Sequence, residues 1–416
     1  MNDRSPRGFP TPVLFTHWGD EAIRGSERVL LDLLARIDRD VFEPILWCNA
    51  HAMADAARSL RVETRVSRMP ILLGWEAPKL DVAGFRSLVR EGESLIREYG
   101  VRIVHANSGA PNQWMVPATR RARIPLIAHL HAIYGFKERT TLLLHQVPAI
   151  VGCSAAVIRP FRLDGIPESR LRVIHNGVDP ERLGLGEARG LRSSLGVAQD
   201  ELLIVSVGAL IRLKGFDIVI RALQVLRTRG VDAHLAIVGD GPEHDALQSL
   251  AAELGLRDRV HLLGQVNNVG AILREAADVV AIASSVESFG LVAAEAGAVG
   301  RPVIATRVGG ITEIVEDRIT GLLVPAGDHT AFADALTLLA KRPSLRRSLG
   351  DAAASRVLGR FTSDRTANSF FALYAELIAR ARDAYGWSSL GFRVAPFARL
   401  GLAVVGRRLG ARIADV

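Results

Sequence analysis

Residues 202–215 read LLIVSVGALIRLKG. Leu202 to Val207 is an apolar run of strand length, Gly208 ends it, and the loop that follows carries two cations, Arg212 and Lys214, before Gly215 opens a helical pattern. A strand that passes through glycine into a cation-bearing loop and then a helix is the repeating unit of an open α/β sheet, whose ligands bind beyond the carboxyl ends of the strands. Working outward, the pattern recurs at Ala233 to Val238, Val260 to Leu263, Val279 to Ala283 and Pro302 to Thr306. Towards the N-terminus it recurs at Val13 to Thr16, a helix from Ser26 to Ile37, Glu43 to Cys48, Ile103 to Ala106 and Leu126 to His129. Strands alternating with helices imply right-handed crossovers and parallel sheets.

The 416 residues are long for one core, so the two series are read as two doubly wound domains. Asp179 to Gln199, rich in glycine, arginine and acidic residues, reads as the hinge. The expected division is 1–179, 180–385 and a basic amphipathic tail, 386–416. An amphipathic helix over Thr362 to Arg382, with Phe370, Phe371, Tyr374, Leu377 and Ile378 at helical spacing, is expected to close the second domain.

A net charge of +8 favours acidic partners, which include phosphorylated small molecules and anionic lipid. Nucleic acid is the weaker partner, because no finger or RRM signature appears and only 6% of residues are aromatic, too few to interleave with basic runs. Cys48 and Cys153 lack metal-ligand spacing and sit among apolar residues, as buried reduced thiols do. Without an apolar h-region or a membrane-length apolar run, a cytoplasmic location is expected, with docking on the inner face of the cell membrane through the tail.

Candidate site residues fall at strand ends. Gly25 and Ser26 open a helix whose free N–H groups and positive end can receive a phosphate, although any tight strand-to-helix turn also uses glycine. Arg212 and Lys214, beside Gly208, are phosphate candidates. Residues 284–297 read SSVESFGLVAAEAG; with a helix from about Phe289, Glu287 lies in the loop above the sheet and Glu295 within the helix. Eight positions separate their backbones by up to roughly 12 Å, more than a glycosidase acid and nucleophile pair needs, so the two carboxylates suit different parts of one extended ligand. A carboxylate among small apolar neighbours, as at Glu295, requires a partner, and ribose hydroxyls supply one. Of His105, His129 and His131, the last two share a face, one packed and the other at the strand's mouth.

These residues resemble the retaining GT-B glycosyltransferases of family 4 over about Val13 to Ala381. The resemblance rests on Glu287-x7-Glu295 with Phe289-Gly290-Leu291 inside it, Arg24 to Glu27, the stretch ending in His131, Asn176 to Asp179, Val238 to Pro242 and Val308 to Glu313. It implies two Rossmann-like doubly wound domains facing each other across a cleft. It further implies that Glu295 holds the ribose and Glu287 the donor-sugar hydroxyls. The backbone at Phe289, Gly290 and Leu291 serves sugar and phosphate, Lys214 neutralises the diphosphate, Gly25 lets it approach, His131 meets the transferred sugar, and the base packs near Gly264 to Val266. The family's usual arginine five residues before the lysine is Ala209 here, a place that Arg212 would fill from inside the loop. No cofactor and no catalytic metal is expected, only a UDP- or GDP-linked sugar donor and a glycan or lipid-linked acceptor.

A nucleotide-sugar epimerase or hydrolase, a sugar phosphorylase and a degenerate scaffold share such architectures, because fold does not fix reaction. The first strand lacks the GxGxxG turn of an NAD enzyme. Apolar Ile71, Leu72, Leu73 and Trp75 are read either as a membrane-docking segment or as core.

Overall fold

The computed structural model describes residues 9–72 and 80–383, which form two units: one of residues up to Ile174 together with those from Thr366, the other His175–Arg365. The first contains β1 (Thr11–His17), β2 (Phe42–Cys48), β3 (Glu63–Val66), β4 (Ile103–Asn107), β5 (Leu126–Leu130), β6 (Ala149–Gly152) and β7 (Leu171–Val173) in the order β3-β2-β1-β4-β5-β6-β7. Every pair is parallel. All side chains of β4 and β5 are buried, as in a parallel sheet covered on both faces.

The second unit contains β8 (Leu202–Val207), β9 (Ala233–Val238), β10 (Val260–Leu262), β11 (Val279–Ile282), β12 (Val303–Thr306) and β13 (Gly321–Val324), parallel throughout in the order β10-β9-β8-β11-β12-β13. Its core packs Ile204, Leu235, Ile237 and Ile304 against Phe216, Ile220 and Leu223 of one helix and Phe332 and Leu336 of another. Both orders reverse beside the first strand of the series, between β1 and β4 and between β8 and β11, and an α/β sheet opens its ligand crevice at such a point.

The expected boundary and the expected place of the last helix are corrected. The chain leaves the first unit after Ile174 rather than at Asp179, and returns to it at Thr366. The helix Ser363–Asp383 therefore closes the first unit. Phe370, Leu373 and Tyr374 bury among Val13, Phe15, Leu30 and Ile127, and the Tyr374 hydroxyl lies 2.6 Å from His105 Nδ1. Helical spacing gives this helix an apolar face but does not say which sheet receives it.

Both cysteines are buried and free, and burial pushes the Cys48 thiol up to about 11. Ile71 is 6% exposed and so belongs to the core, while Leu72 is tied by its N–H to Gln113 Oε1 at 2.7 Å. Leu73, Trp75 and the expected tail lie outside the described residues. Among the described residues no helix is long and apolar enough to cross a membrane.

Candidate active site

In the second unit the loops after β8 and β11 are tied together, since the Ser285 N–H donates to the Leu213 carbonyl at 2.8 Å. This brings Lys214 Nζ to 2.7 Å from Glu287 Oε2, and the Ser284 hydroxyl donates to the same oxygen at 3.3 Å. The two candidates that sequence assigned to phosphate and sugar are thus each other's counter-ion. The lysine stem runs over Gly208, where a Cβ would lie 3.6 Å from Lys214 Cε.

Glu287 is held from behind by the loop after β12. The Gly310 N–H donates to the Glu287 carbonyl at 3.0 Å. Gly309 has φ +48°, and a Cβ there would come 1.8 Å from the same carbonyl oxygen, so the backbone approach requires glycine. The sequence carries this support as the Gly-Gly of residues 308–313.

The helix after this loop spans Leu291–Ala298, two residues later than expected, because Gly290 is left-handed at φ +101° and caps it. The Phe289 ring is buried against His175 and Phe361, with centroids 6.1 and 6.0 Å away, which leaves the backbone of residues 289–291 at the helix entrance. Glu295 lies in this helix and is partly exposed, so the burial expected for it is corrected: it stands at the margin of the small-residue helix rather than inside it. His175 has a structural role that sequence did not reveal, its Nε2 lying 2.8 Å from Glu313 Oε2.

Arg212 does not join the pair. It and Lys214 lie in a 3-10 turn, where successive side chains diverge by about 120°. Arg212 lines a cavity of about 620 Å³ with Asp217, Arg221, Glu243 and Ser285, and neither Lys214 nor Glu287 borders that cavity. Gly264 follows β10 with φ +66°, and its carbonyl accepts the Gly239 N–H at 2.8 Å, which places residues 264–266, Val266 partly exposed, at the same edge of the sheet.

In the first unit the corresponding edge is polar and buried. His17 ends β1, Asn107 ends β4, and the two are register partners. Asn107 Nδ2 is 3.0 Å from His17 Nδ1 and 3.2 Å from the Ser26 carbonyl, and Asn107 Oδ1 is 2.8 Å from His131 Nε2. His17 Nε2 lies 3.0 Å from Glu27 Oε1, off the axis of an ideal hydrogen bond. Burial acts to raise the Glu27 carboxyl, but the hydrogen bond and charge of His17 outweigh it and hold the group at about 2.

Glu27 also sits at the terminus where Gly25 and Ser26 were expected to receive a phosphate. Its Oε2 accepts the Arg24 N–H at 3.0 Å and its Oε1 accepts the Ser26 hydroxyl at 3.1 Å, so an internal carboxylate already occupies part of that end. His129 is fully buried and the His131 ring lies against it, tilted by 50° with centroids 4.0 Å apart, the division expected for alternating residues. Desolvation pushes the His131 imidazole down to about 3. Glu27 was read only as part of the turn Arg24 to Glu27, and His17 and Asn107 escaped attention because each is unremarkable in sequence and they meet only through strand register.

Residues 23–182 match the family described as Glycosyltransferase Family 4, and residues 189–356 match Glycosyl transferases group 1. The D-inositol 3-phosphate glycosyltransferase of Kribbella flavida is 37% identical over 308 residues, which cover 67% of this chain and 72% of that protein. The chain belongs to the group 1 glycosyltransferases. It spans about half the length of other curated relatives, among them the N-acetyl-alpha-D-glucosaminyl L-malate synthase of Bacillus anthracis, 32% identical over 51% of this chain and 55% of that one. Among solved structures, HepE from Anabaena, in complex with UDP-glucose, aligns with TM-score 0.75 and 24% identity over 88% of this chain and all of its own. This likeness places the glycosyltransferase chain in the GT-B fold class, in agreement with the two Rossmann-like units. Among its described residues no group of three or more His, Cys, Asp or Glu comes together to hold a metal ion.

Proposed function

We propose that the protein is a retaining glycosyltransferase that moves a hexose from a UDP- or GDP-linked donor to an acceptor hydroxyl without a catalytic metal or other cofactor. The observation that carries this reading is the Lys214–Glu287 pair at the carboxyl edge of the second sheet, beside the helix that bears Glu295. Breaking the anomeric C–O bond builds negative charge on the diphosphate, which Lys214 and the backbone at the entrance of the helix Leu291–Ala298 would stabilise. Glu287, released by that exchange, would accept sugar hydroxyls, and Glu295 those of the ribose. The acceptor attacks from the face that the diphosphate leaves, so the anomeric configuration is kept.

The acceptor is a glycan or lipid-linked sugar in polysaccharide or glycolipid synthesis, reached from the cytoplasmic face of a membrane. A small anionic hydroxyl compound is the second reading, favoured by the names of the relatives, one an inositol phosphate glycosyltransferase and one a malate synthase. The test is saturation binding of a panel of UDP- and GDP-sugars, with and without EDTA, to the intact protein, Lys214→Ala and Glu295→Ala. One donor bound tightly, weakened by both substitutions and indifferent to EDTA, is expected. Failure of every donor to bind would mean a degenerate scaffold, and NAD binding an oxidoreductase. Anionic vesicles at low salt test the membrane; no association removes the lipid-linked acceptor.

A further inference from the structure

The contacts at the edge of the first sheet fix the orientation of the Asn107 amide and with it the proton of His131. The Ser26 carbonyl can only accept, so the Asn107 arm 3.2 Å from it is the NH2 group. His17 Nδ1 lies 3.0 Å from that NH2 group and 3.1 Å from the Asn107 backbone carbonyl, so His17 braces Asn107 through both its side chain and its backbone, while its Nε2 faces Glu27. The other arm, Asn107 Oδ1, can only accept, so the His131 proton is on Nε2, 2.8 Å away. His17, Glu27 and Asn107 are 1%, 7% and 0% exposed, which leaves no water to substitute for a missing partner.

We propose that Glu27, His17 and Asn107 are positioning residues that hold His131 neutral, as its Nε2–H tautomer, with its ring fixed at the mouth of β5. This rests on the glycosyltransferase reading: a sugar that acquires oxocarbenium-like charge beside this ring is repelled by an imidazolium and not by a neutral imidazole. The chain ends on a carboxylate that is itself an internal cap of the helix Gly25–Ala35, so the position of the ring is referred back through two strands to the start of that helix. His129, whose ring lies tilted against His131, and His105, bonded to Tyr374, complete the ionisable surroundings on the strand side.

The test is nitrogen-15 NMR of the full chain labelled at histidine, with His131→Asn and His17→Asn to assign the rings. A pure Nε2–H pattern is expected for His131, with no titration of that ring between about pH 5 and 8, the range in which an unperturbed histidine charges. In Asn107→Asp, a carboxylate replaces the amide beside His131, and the His131 signal is expected to leave the pure Nε2–H pattern. With the donor identified by binding, kcat is expected to fall about tenfold or more while the donor KM moves less than about twofold. Should Asn107→Asp not fold, Glu27→Ala is read the same way, with mixed tautomers and the same loss in kcat. An Nδ1–H or exchanging His131 in the unaltered protein overturns the assignment whatever the activity, and so does an unchanged kcat in a variant whose tautomers have become mixed. Expected ring signals without transfer from any nucleotide sugar overturn the glycosyltransferase reading instead, and with it the role of His131 towards a sugar.

Discussion

Replacing Glu287 by glutamine is expected to strengthen the binding of a free nucleoside diphosphate, although Glu287 belongs to the proposed donor site. Unit charges at the observed 2.7 Å attract by about 1.5 kcal/mol at the dielectric constant of water, and by several-fold more in a protein interior. With the two side chains 29% and 16% exposed, solvent screens the pair, and the lower end, ~1 to 1.5 kcal/mol, is the appropriate magnitude. A phosphate that recruits Lys214 must first break this pair. Glutamine removes that cost while remaining a hydrogen-bond acceptor of the same shape, so affinity for UDP or GDP should rise about five- to tenfold. Affinity for the intact nucleotide sugar should rise less, because the carboxylate is also the proposed acceptor of sugar hydroxyls. Isothermal titration of both ligands against wild type and Glu287→Gln measures the two changes. Unchanged or weaker diphosphate binding, in a variant with the wild-type melting temperature, would refute the reasoning that Lys214 is pre-engaged.

Three further outcomes follow from the packing. Gly309→Ala should remove activity and lower the melting temperature, since the new Cβ would collide with the Glu287 carbonyl at 1.8 Å; normal activity would show that this loop does not support the site. Tyr374→Phe leaves His105 Nδ1 buried without its partner and should destabilise the first unit by ~1 to 3 kcal/mol in urea unfolding. Desolvation holds His105 and His131 at about 3, so below about pH 6.5 the unfolded chain binds protons that the folded chain does not, and stability should fall by about 1.4 kcal/mol per pH unit for each. Glu27, held at about 2, has the opposite preference, and its contribution is lost only below its ordinary 4.5, so unfolding midpoints at pH 7 and 5.5 report the histidines alone; equal midpoints would show that these rings are hydrated.

Most strands buried on both faces were legible, and β8 and β9 fall at the residues that periodicity assigns, but Ala149–Gly152, equally buried and only four residues long, went unread. Glu63–Val66, Leu171–Val173 and Gly321–Val324 escaped because they are short, and the first is an edge strand with no buried side chain. Lys214 and Glu287 were legible as candidates because each stands near glycine in a loop beyond a strand's carboxyl end. Their mutual contact was not legible, since it depends on how two loops 73 residues apart are tied. Arg212 looked equivalent to Lys214 in composition, and only the local turn, which sends neighbouring side chains different ways, separates them. The His17–Asn107 pairing was hidden for a related reason: strand register sets it, and a single sequence does not state register.

The return of the chain to the first unit at Thr366 bears on how the protein is made. On the ribosome, the β8–β13 unit is complete in sequence as soon as Arg365 has emerged, whereas the sheet that began at Thr11 still lacks Phe370, Leu373 and Tyr374. Folding domain by domain during synthesis therefore runs in reverse here: the part translated later can finish first, as a self-contained insertion. The earlier part waits with its apolar face uncovered until the helix Ser363–Asp383 is released. A nascent chain stalled once Arg365 has cleared the exit tunnel, with the following helix still inside it, should accordingly present a protease-resistant second unit attached to a protease-sensitive first one.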